Sequence, residues 1–288
     1  MEEEEYMGRW RSKICIVTAL DFEARAIIEH YGLIGMNNPY FRVYVNDDIM
    51  LIISGVGKIR SSIATTYILS NIEDIEHCAV INVGLCGAQD TNYPLGMPIL
   101  VNKIVDADTS YEYFPDILFP HDMVEEGLET HQVRISIDGG SHIGEKLVDM
   151  EASGFFESAS TFLPPHRLSC IKVVSDHLDG YIPKKNEVIG MMQEAIPYID
   201  CVCRAMLKDM ETSTTVLDED ESAYLGKLAR CLRLTVSQAH ELYDIAFKYK
   251  LRTGEKLPPF DYIFDIKVSS KEEGKREFEK LKRIFWSR

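Results

Sequence analysis

Glu23, Glu151 and Asp176 are the residues of this 288-residue chain whose type and position fit chemistry. Each stands where an apolar run gives way to a helical or loop-like stretch. Glu23 follows Lys13 to Ala19, KICIVTA, and falls in the first turn of a helical pattern. Asp176 comes after Leu168 to Val174, LSCIKVV, and Glu151 lies inside Leu147 to Phe156, LVDMEASGFF. An ionised carboxylate in such company costs several kcal/mol unless it is paired or hydrogen-bonded. Singly, each reads as a helix-start acid facing the dipole. Together they read as a cleft where acids hold a ligand and move protons.

The elements that must position them alternate. KICIVTA is a buried strand, followed by a helix over Ala24 to Tyr31 with Asp21 as its N-cap and Gly32 as its stop. Phe41 to Val45 and Ile49 to Ser54 read as strands around an Asn-Asp-Asp turn. Gly55-Val56-Gly57-Lys58 then opens a helix over Ile59 to Asn71. Glycines here let backbone N–H groups approach a ligand, although the pattern is neither a Walker A loop nor a full dinucleotide fingerprint and also suits a tight turn. Cys78 to Val83 is a strand ending in Gly84-Leu85-Cys86-Gly87-Ala88, and Ile99 to Val105 is another. Tyr111 to His121 reads as a proline-broken loop, and Asp122 to Ser141 is polar and carries no clear element. LSCIKVV is a further strand, and an apolar stripe from Ile189 to Met210 is a helix that Pro197 should kink. This alternation predicts an α/β fold with a largely parallel sheet, whose ligands bind at the carboxyl ends of the strands. Acids serving one small ligand there should lie within roughly 6–12 Å of each other.

Composition bounds the partners. The net charge is −15, which argues against nucleic-acid binding by the whole chain. Seven cysteines without a regular framework suit a reducing cytosol, and no apolar signal segment or spanning run is present. The Glu2 to Glu5 run reads as a solvated terminus. Cys201-Val202-Cys203 falls in a helical pattern and reads as packing, and His121, His131 and His142 lack metal-ligand spacing, so no metal is expected. His177, beside Asp176, lines the cleft or belongs to a surface loop.

Four stretches, in order, carry a family resemblance: Thr18 to Ala24, TALDFEA; Ser54 to Lys58, SGVGK; Ile81 to Gly87, INVGLCG; and Asp149 to Ala152, DMEA, with Val174-Ser175-Asp176. The chain resembles the nucleoside phosphorylase and nucleosidase superfamily, in particular its methylthioadenosine/S-adenosylhomocysteine nucleosidases. The resemblance implies a three-layer α/β/α sandwich over residues 12–211, with residues 212–288 as a helical C-terminal extension. It implies hydrolysis of the N-glycosidic bond of an adenosine-type nucleoside by a cytoplasmic homo-oligomer, dimer or hexamer, without a cofactor. Glu23 matches the acid that activates the attacking water. Met150 and Glu151 match the pair that holds the ribose, and Asp176, supported by Ser175, matches the acid that protonates the purine at N7. Gly55, Gly57, Gly84 and Gly87 match the ligand-lining glycines. The chemistry fits these types, because breaking the bond leaves positive charge on the sugar and negative charge on the base.

Related phosphorylases hold phosphate with an arginine and a serine at the positions of Asn82 and Leu85. Neither residue here offers a cation, which favours hydrolysis, with phosphorolysis through Lys58 or Arg60 as the alternative. The interval from Asp108 to Met150 is shorter than the family pattern, and the missing part would bring a helix, a strand and a base-stacking aromatic. Tyr111, Tyr113 or Phe114 is the replacement at hand. That shortening and Leu85 support a further alternative, a non-catalytic nucleoside-binding regulator. After Glu211 the sequence reads as an acidic linker, Leu217 to Glu221, and three helices. These are a stripe at Tyr224, Leu225, Leu228 and Leu232, a capping box at Thr235 to Gln238 with Val236, Ala239, Leu242 and Ala246 inward, and Lys271 to Trp286. The first two resemble a helix-turn-helix. This tail has 15 Lys/Arg against 13 Asp/Glu, too even for a DNA-binding face, which favours packing or a protein partner.

Overall fold

Every residue of β1 (Ile14–Thr18) is buried, as expected for a strand covered on both faces. The computed structural model describes Trp10 and residues 12–136, 143–264, 266, 268 and 270–286. His142, the Glu2 to Glu5 run and the end of the Asp122 to Ser141 segment lie outside the described residues. The chain divides into two compact units, Met1–Lys208 and Asp209–Arg288.

In the first unit β1 leads into α1 (Asp21–Tyr31), β2 (Ile34–Met36), β3 (Arg42–Val45), β4 (Ile49–Ile53) and α2 (Lys58–Ser70). Then follow β5 (Ala79–Ala88), β6 (Pro98–Asp106), β7 (Glu112–Tyr113), β8 (Val124–Thr130), β9 (Leu147–Asp149), α3 (Ala152–Ala159), β10 (Leu168–Asp176) and the start of α4 (Lys185–Val216), whose residues after Lys208 belong to the second unit. The sheet order is β10-β6-β8-β9-β5-β1-β4-β3-β2, and β10 also pairs β5. Strands β10, β6, β8, β9 and β5 therefore form a closed circuit from which β1 to β4 extend. The fold is α/β, but the sheet is mixed rather than largely parallel. β4, β1, β5 and β10 run parallel, as do β6, β8 and β9, and the two sets meet through antiparallel β10–β6 and β5–β9 pairs.

Several local expectations change. Leu20, not Asp21, is the N-cap of α1, because the Glu23 carboxylate reaches back to the freed N–H groups. Gly84 and Gly87 lie within β5 instead of following it, and Ser175 and Asp176 belong to the end of β10. Helix α4 runs through Pro197 without interruption; the proline faces solvent, where water can take the carbonyl it leaves unbonded. The interval expected to lack a strand contains β8. Helices α2 and α3 cross closely, since a Cβ on Gly154 would lie 2.0 Å from the Lys58 carbonyl oxygen. This crossing sets the entry of α3, and Glu151 with it, beside the Gly55–Gly57 turn.

The second unit has its own core of Leu225, Leu228, Leu232, Leu242, Tyr249, Phe260, Phe278 and Phe285 among others. Its helices are α5 (Glu219–Cys231), α6 (Val236–Thr253) and α7 (Lys271–Trp286). The acidic stretch before α5 is a cap and not a linker: Asp218 accepts from the Glu221 N–H and Glu221 returns the bond. The Thr235/Gln238 capping box forms, and Gly254 ends α6 in the left-handed region. Val236, expected inward, is 77% exposed because it is the first residue past the cap, before the buried stripe of the helix begins. Among the described residues no helix is long and apolar enough to cross a membrane.

Candidate active site

Glu23 is almost fully buried yet well satisfied. Its Oε2 accepts from the N–H groups of Ala19 at 3.0 Å and Leu20 at 2.8 Å, and its Oε1 accepts from Leu85 at 3.2 Å. The side chain thus joins the end of β1 to the middle of β5. Burial raises its pKa, while these N–H groups and Lys172 pull it back.

Lys172 faces it from β10, opposite Gly84 in the strand register. A Cβ built on Gly84 would lie 3.4 Å from Glu23 Oε1 and 3.6 Å from Lys172 Nζ, so the two charges are about 7 Å apart at most. The ammonium is completely buried and pairs with Asp149 Oδ2 at 2.8 Å. Burial alone would lower its pKa, but Asp149, Cys170 and Glu151 hold it well above the ordinary lysine range. Beyond that ion pair the ammonium makes no hydrogen bond among the described residues. Asp149 in turn accepts from Thr130 Oγ1 at 2.7 Å and from the Ala152 N–H at 2.8 Å, so it both fixes the lysine and caps α3.

Glu151 is the residue before α3, and its Oε1 accepts from the Gly57 N–H at 2.8 Å. Gly57, with φ 106°, and Gly55, with φ 84°, are left-handed, so the turn that aims this N–H needs glycine. Met150 beside it is half-buried. Burial, then the neighbouring Asp149 charge, push Glu151 up to about 7. A raised carboxyl contributes stability that is full below its unfolded pKa and is lost as pH rises through about 7. Glu151→Gln should therefore melt higher than the parent at pH 8, with the gap closing by pH 5, while it weakens ligand binding. Thermal melts at both pH values check this; a gap independent of pH would refute it.

Asp176 ends β10 opposite Gly87. Gly87 is three steps along β5 from Gly84, which is about 10 Å along a strand. The Asp176 Oδ1 accepts from the Leu178 N–H at 3.0 Å, and Oδ2 lies 2.8 Å from Ser175 Oγ. That hydroxyl is also 3.1 Å from the Cys86 carbonyl oxygen. With one proton it can donate to either, and when it turns to Cys86 it can accept from Asp176. Leu178 packs over Gly87 so closely that a Cβ there would meet its Cδ2 at 2.2 Å. Arg134 Nη2 lies 3.4 Å from Asp176 Oδ2.

The structure thus groups Glu23, Gly84, Glu151 and Gly57 around Lys172, with Asp176, Ser175 and Gly87 farther along the same pair of strands. Gly55 lies behind Gly57, where its N–H bonds the Ala19 carbonyl at 3.1 Å. Sequence reasoning missed Lys172 and Asp149. The signal was present: one lysine inside the apolar strand LSCIKVV must find a buried acid. Tyr113 packs its ring on Phe156 at 5.6 Å, whereas Tyr111 and Phe114 are exposed. His177 Nε2 donates to the Tyr93 carbonyl at 2.9 Å, His121 pairs with Glu125, and His131 with Glu129. Among the described residues no three His, Cys, Asp or Glu side chains are grouped to hold a metal.

Neither a family model nor a curated protein matches the sequence. Solved structures match the fold. One is the 5′-methylthioadenosine/S-adenosylhomocysteine nucleosidase of Neisseria meningitidis in complex with methylthio-immucillin-A, at 18% identity and TM-score 0.52, over 67% of this chain and 97% of that one. A futalosine hydrolase mutant of Helicobacter pylori strain 26695 matches at 13% identity and TM-score 0.54, over 67% and 99%. The Arabidopsis thaliana 5′-methylthioadenosine nucleosidase matches at 18% and TM-score 0.51, over 72% and 96%. The chain therefore has the α/β fold of nucleoside-cleaving enzymes. Two of these three neighbours are methylthioadenosine nucleosidases, which this chain resembles in fold.

Proposed function

We propose that this protein hydrolyses the N-glycosidic bond of purine nucleosides. The observation that carries the reading is a completely buried ammonium, set between Glu23 and the Asp149/Glu151 pair, that makes no hydrogen bond beyond its ion pair among the described residues. Such a centre holds a water or a sugar hydroxyl in a place closed to bulk solvent. Glu23 takes the proton of the attacking water, which Lys172 orients. Glu151, with Met150, holds the ribose, and the excess of carboxylates over cations favours the positive charge that grows on the sugar. Asp176 delivers a proton to N7 of the leaving base, and Ser175 adjusts its bonding as that proton departs. The nucleosides named for the structural neighbours, methylthioadenosine and adenosylhomocysteine, are the first substrates to test. The reading includes a three-layer α/β/α core and a cytoplasmic homo-oligomer, dimer or hexamer.

Hydrolysis is favoured over phosphorolysis by the fate of the cations. Asn82 is buried and gives its amide to the Val17 carbonyl at 3.1 Å. Leu85 offers only its backbone N–H, already bound to Glu23. Lys58, one substitute cation, is held by Asp106 at 2.8 Å and Asp108 at 2.5 Å. Arg60, exposed over Gly55 where a Cβ would lie 3.0 Å from its Cδ, is the cation that the phosphorolysis alternative would use. Free base should appear at the same rate with and without inorganic phosphate. Base that appears only with phosphate, together with ribose 1-phosphate, would make the protein a phosphorylase. Binding of nucleosides with no base release under either condition would make it a nucleoside sensor.

A further inference from the structure

We propose that Lys58 and Asp106 are positioning residues: together they brace the Gly57 turn against α3 and so hold Glu151 where it meets the sugar. The sugar's part in this rests on the nucleosidase reading; the brace itself does not.

Both ends of the Glu151–Gly57 hydrogen bond lead to one carboxylate. Gly57 is followed by Lys58, the first residue of α2, whose Nζ reaches Asp106 Oδ2 at 2.8 Å and Asp108 Oδ2 at 2.5 Å. Two residues after Glu151, Ser153 Oγ donates to the same Asp106 oxygen at 2.7 Å. Asp106, at the end of β6, is itself fixed. Its Oδ1 accepts from the N–H groups of Asp108 at 3.1 Å and Thr109 at 3.0 Å, and from Thr109 Oγ1 at 3.0 Å. Burial would raise its pKa, but Lys58, Ser153 and Thr109 hold it well below the usual carboxylate range, so it stays ionised.

Helix formation does not explain the lysine. A cation in the first turn opposes the helix dipole, and α2 has no acid in that turn to offset it. The glycines at 55 and 57 leave the turn free to swing, so its direction must be fixed from outside. Lys58 does this by tying the turn to β6 and, through Asp106, to α3.

The Gly57 N–H matters to Glu151 because few groups favour its ionised form. Asp149 from β9, Glu23 from α1 and Lys172 from β10 face it. Burial and the two acids raise its pKa, whereas Lys172 and the Gly57 N–H lower it. Losing one hydrogen bond to an ionised group makes proton binding about tenfold tighter. Charge acting through space predicts something else. Lys58→Met removes a cation, which pushes Glu151 up; Asp106→Asn removes an anion, which pushes it down. A lost brace pushes it up in both. Asp106→Asn can keep the three bonds on Oδ1 through its amide oxygen, but it then turns an NH₂ group toward Lys58, donor against donor.

The test titrates the full chain, carrying 13C-labelled glutamate carboxyls, by NMR, with the Glu151 signal assigned by its absence from Glu151→Gln. The midpoint should be about 7 in the parent and about 8 in both Lys58→Met and Asp106→Asn, while Lys58→Arg stays nearer the parent. In the first two variants kcat/KM for methylthioadenosine at pH 7 should fall about 5-fold or more. A midpoint that is unchanged or lower in Asp106→Asn overturns the brace. Should that variant not fold, Ser153→Ala, which changes no charge, decides in its place: a smaller rise supports the brace and no rise overturns it. Raised midpoints with parental kcat/KM overturn the positioning role at the sugar. Raised midpoints in a protein whose parent cleaves no nucleoside support the brace and refute the nucleosidase reading.

Discussion

Lys172→Met should both destabilise the protein and abolish cleavage. The lysine is completely buried and is the cation paired with Asp149 at 2.8 Å. Removing one partner of a buried pair leaves an uncompensated charge and costs about 3–5 kcal/mol. The loss is worse here because Glu23 and Glu151 share the same neighbourhood. Without the ammonium, the clustered carboxyls must take up protons to remain buried, so their pKa values rise further. Carboxyls raised in the folded state stabilise it at low pH and lose that contribution as pH climbs. The variant should thus lie nearer the parent at pH 5 than at pH 8 in urea denaturation. Lys172→Arg keeps the charge and should recover part of the stability, although the larger fork disturbs the packing. Near-parental stability of Lys172→Met at pH 8, with cleavage intact, would show that the buried lysine is incidental.

That residue also shows where sequence reading reached its limit. The strand LSCIKVV was legible as a strand because its apolar neighbours outweigh one lysine. The charge that matters was discounted by the same reasoning, since its partner Asp149 lies on another strand. β8, VEEGLET, failed for a related reason. Its glutamates are satisfied by distant groups: Glu126 by Lys146, Glu129 by the Gly144 N–H, and Glu125 by Asn102. A polar strand flanked on both sides by parallel neighbours has no local signature that separates it from a loop. The acids at element ends were easier, because Glu23, Glu151 and Asp176 each interrupt a strong periodic pattern. What the periodicity cannot carry is the antiparallel closure of β10 on β6, which makes the sheet mixed. Arg134, in a stretch without period, was equally invisible; only its distance to Asp176 brings it into view.

Asp176→Asn should reduce turnover by about 10²–10⁴-fold while nucleoside binding changes little. The substitution is nearly isosteric, and the bonds to Leu178 and Ser175 can survive it, while the exposed contact of Arg134 with Oδ2 is lost. The amide oxygen can keep the Leu178 N–H, and the NH₂ group then points toward Ser175, whose hydroxyl turns to the Cys86 carbonyl and accepts. What disappears is the proton available to the departing base. A purine expelled without protonation leaves as an anion, so the barrier rises in the bond-breaking step, and the loss belongs in kcat instead of KM. The choice of leaving group separates this role from a structural one. A riboside whose leaving group is already a stable anion, such as a nitrophenyl riboside, needs no general acid. Asp176→Asn should cleave it within a few-fold of the parent. Glu23→Gln should fail on both substrates, because the attacking water must be activated whatever leaves. A variant equally impaired on purine and nitrophenyl ribosides would place Asp176 in the framework of the site, and one as active as the parent on both would remove it from the mechanism.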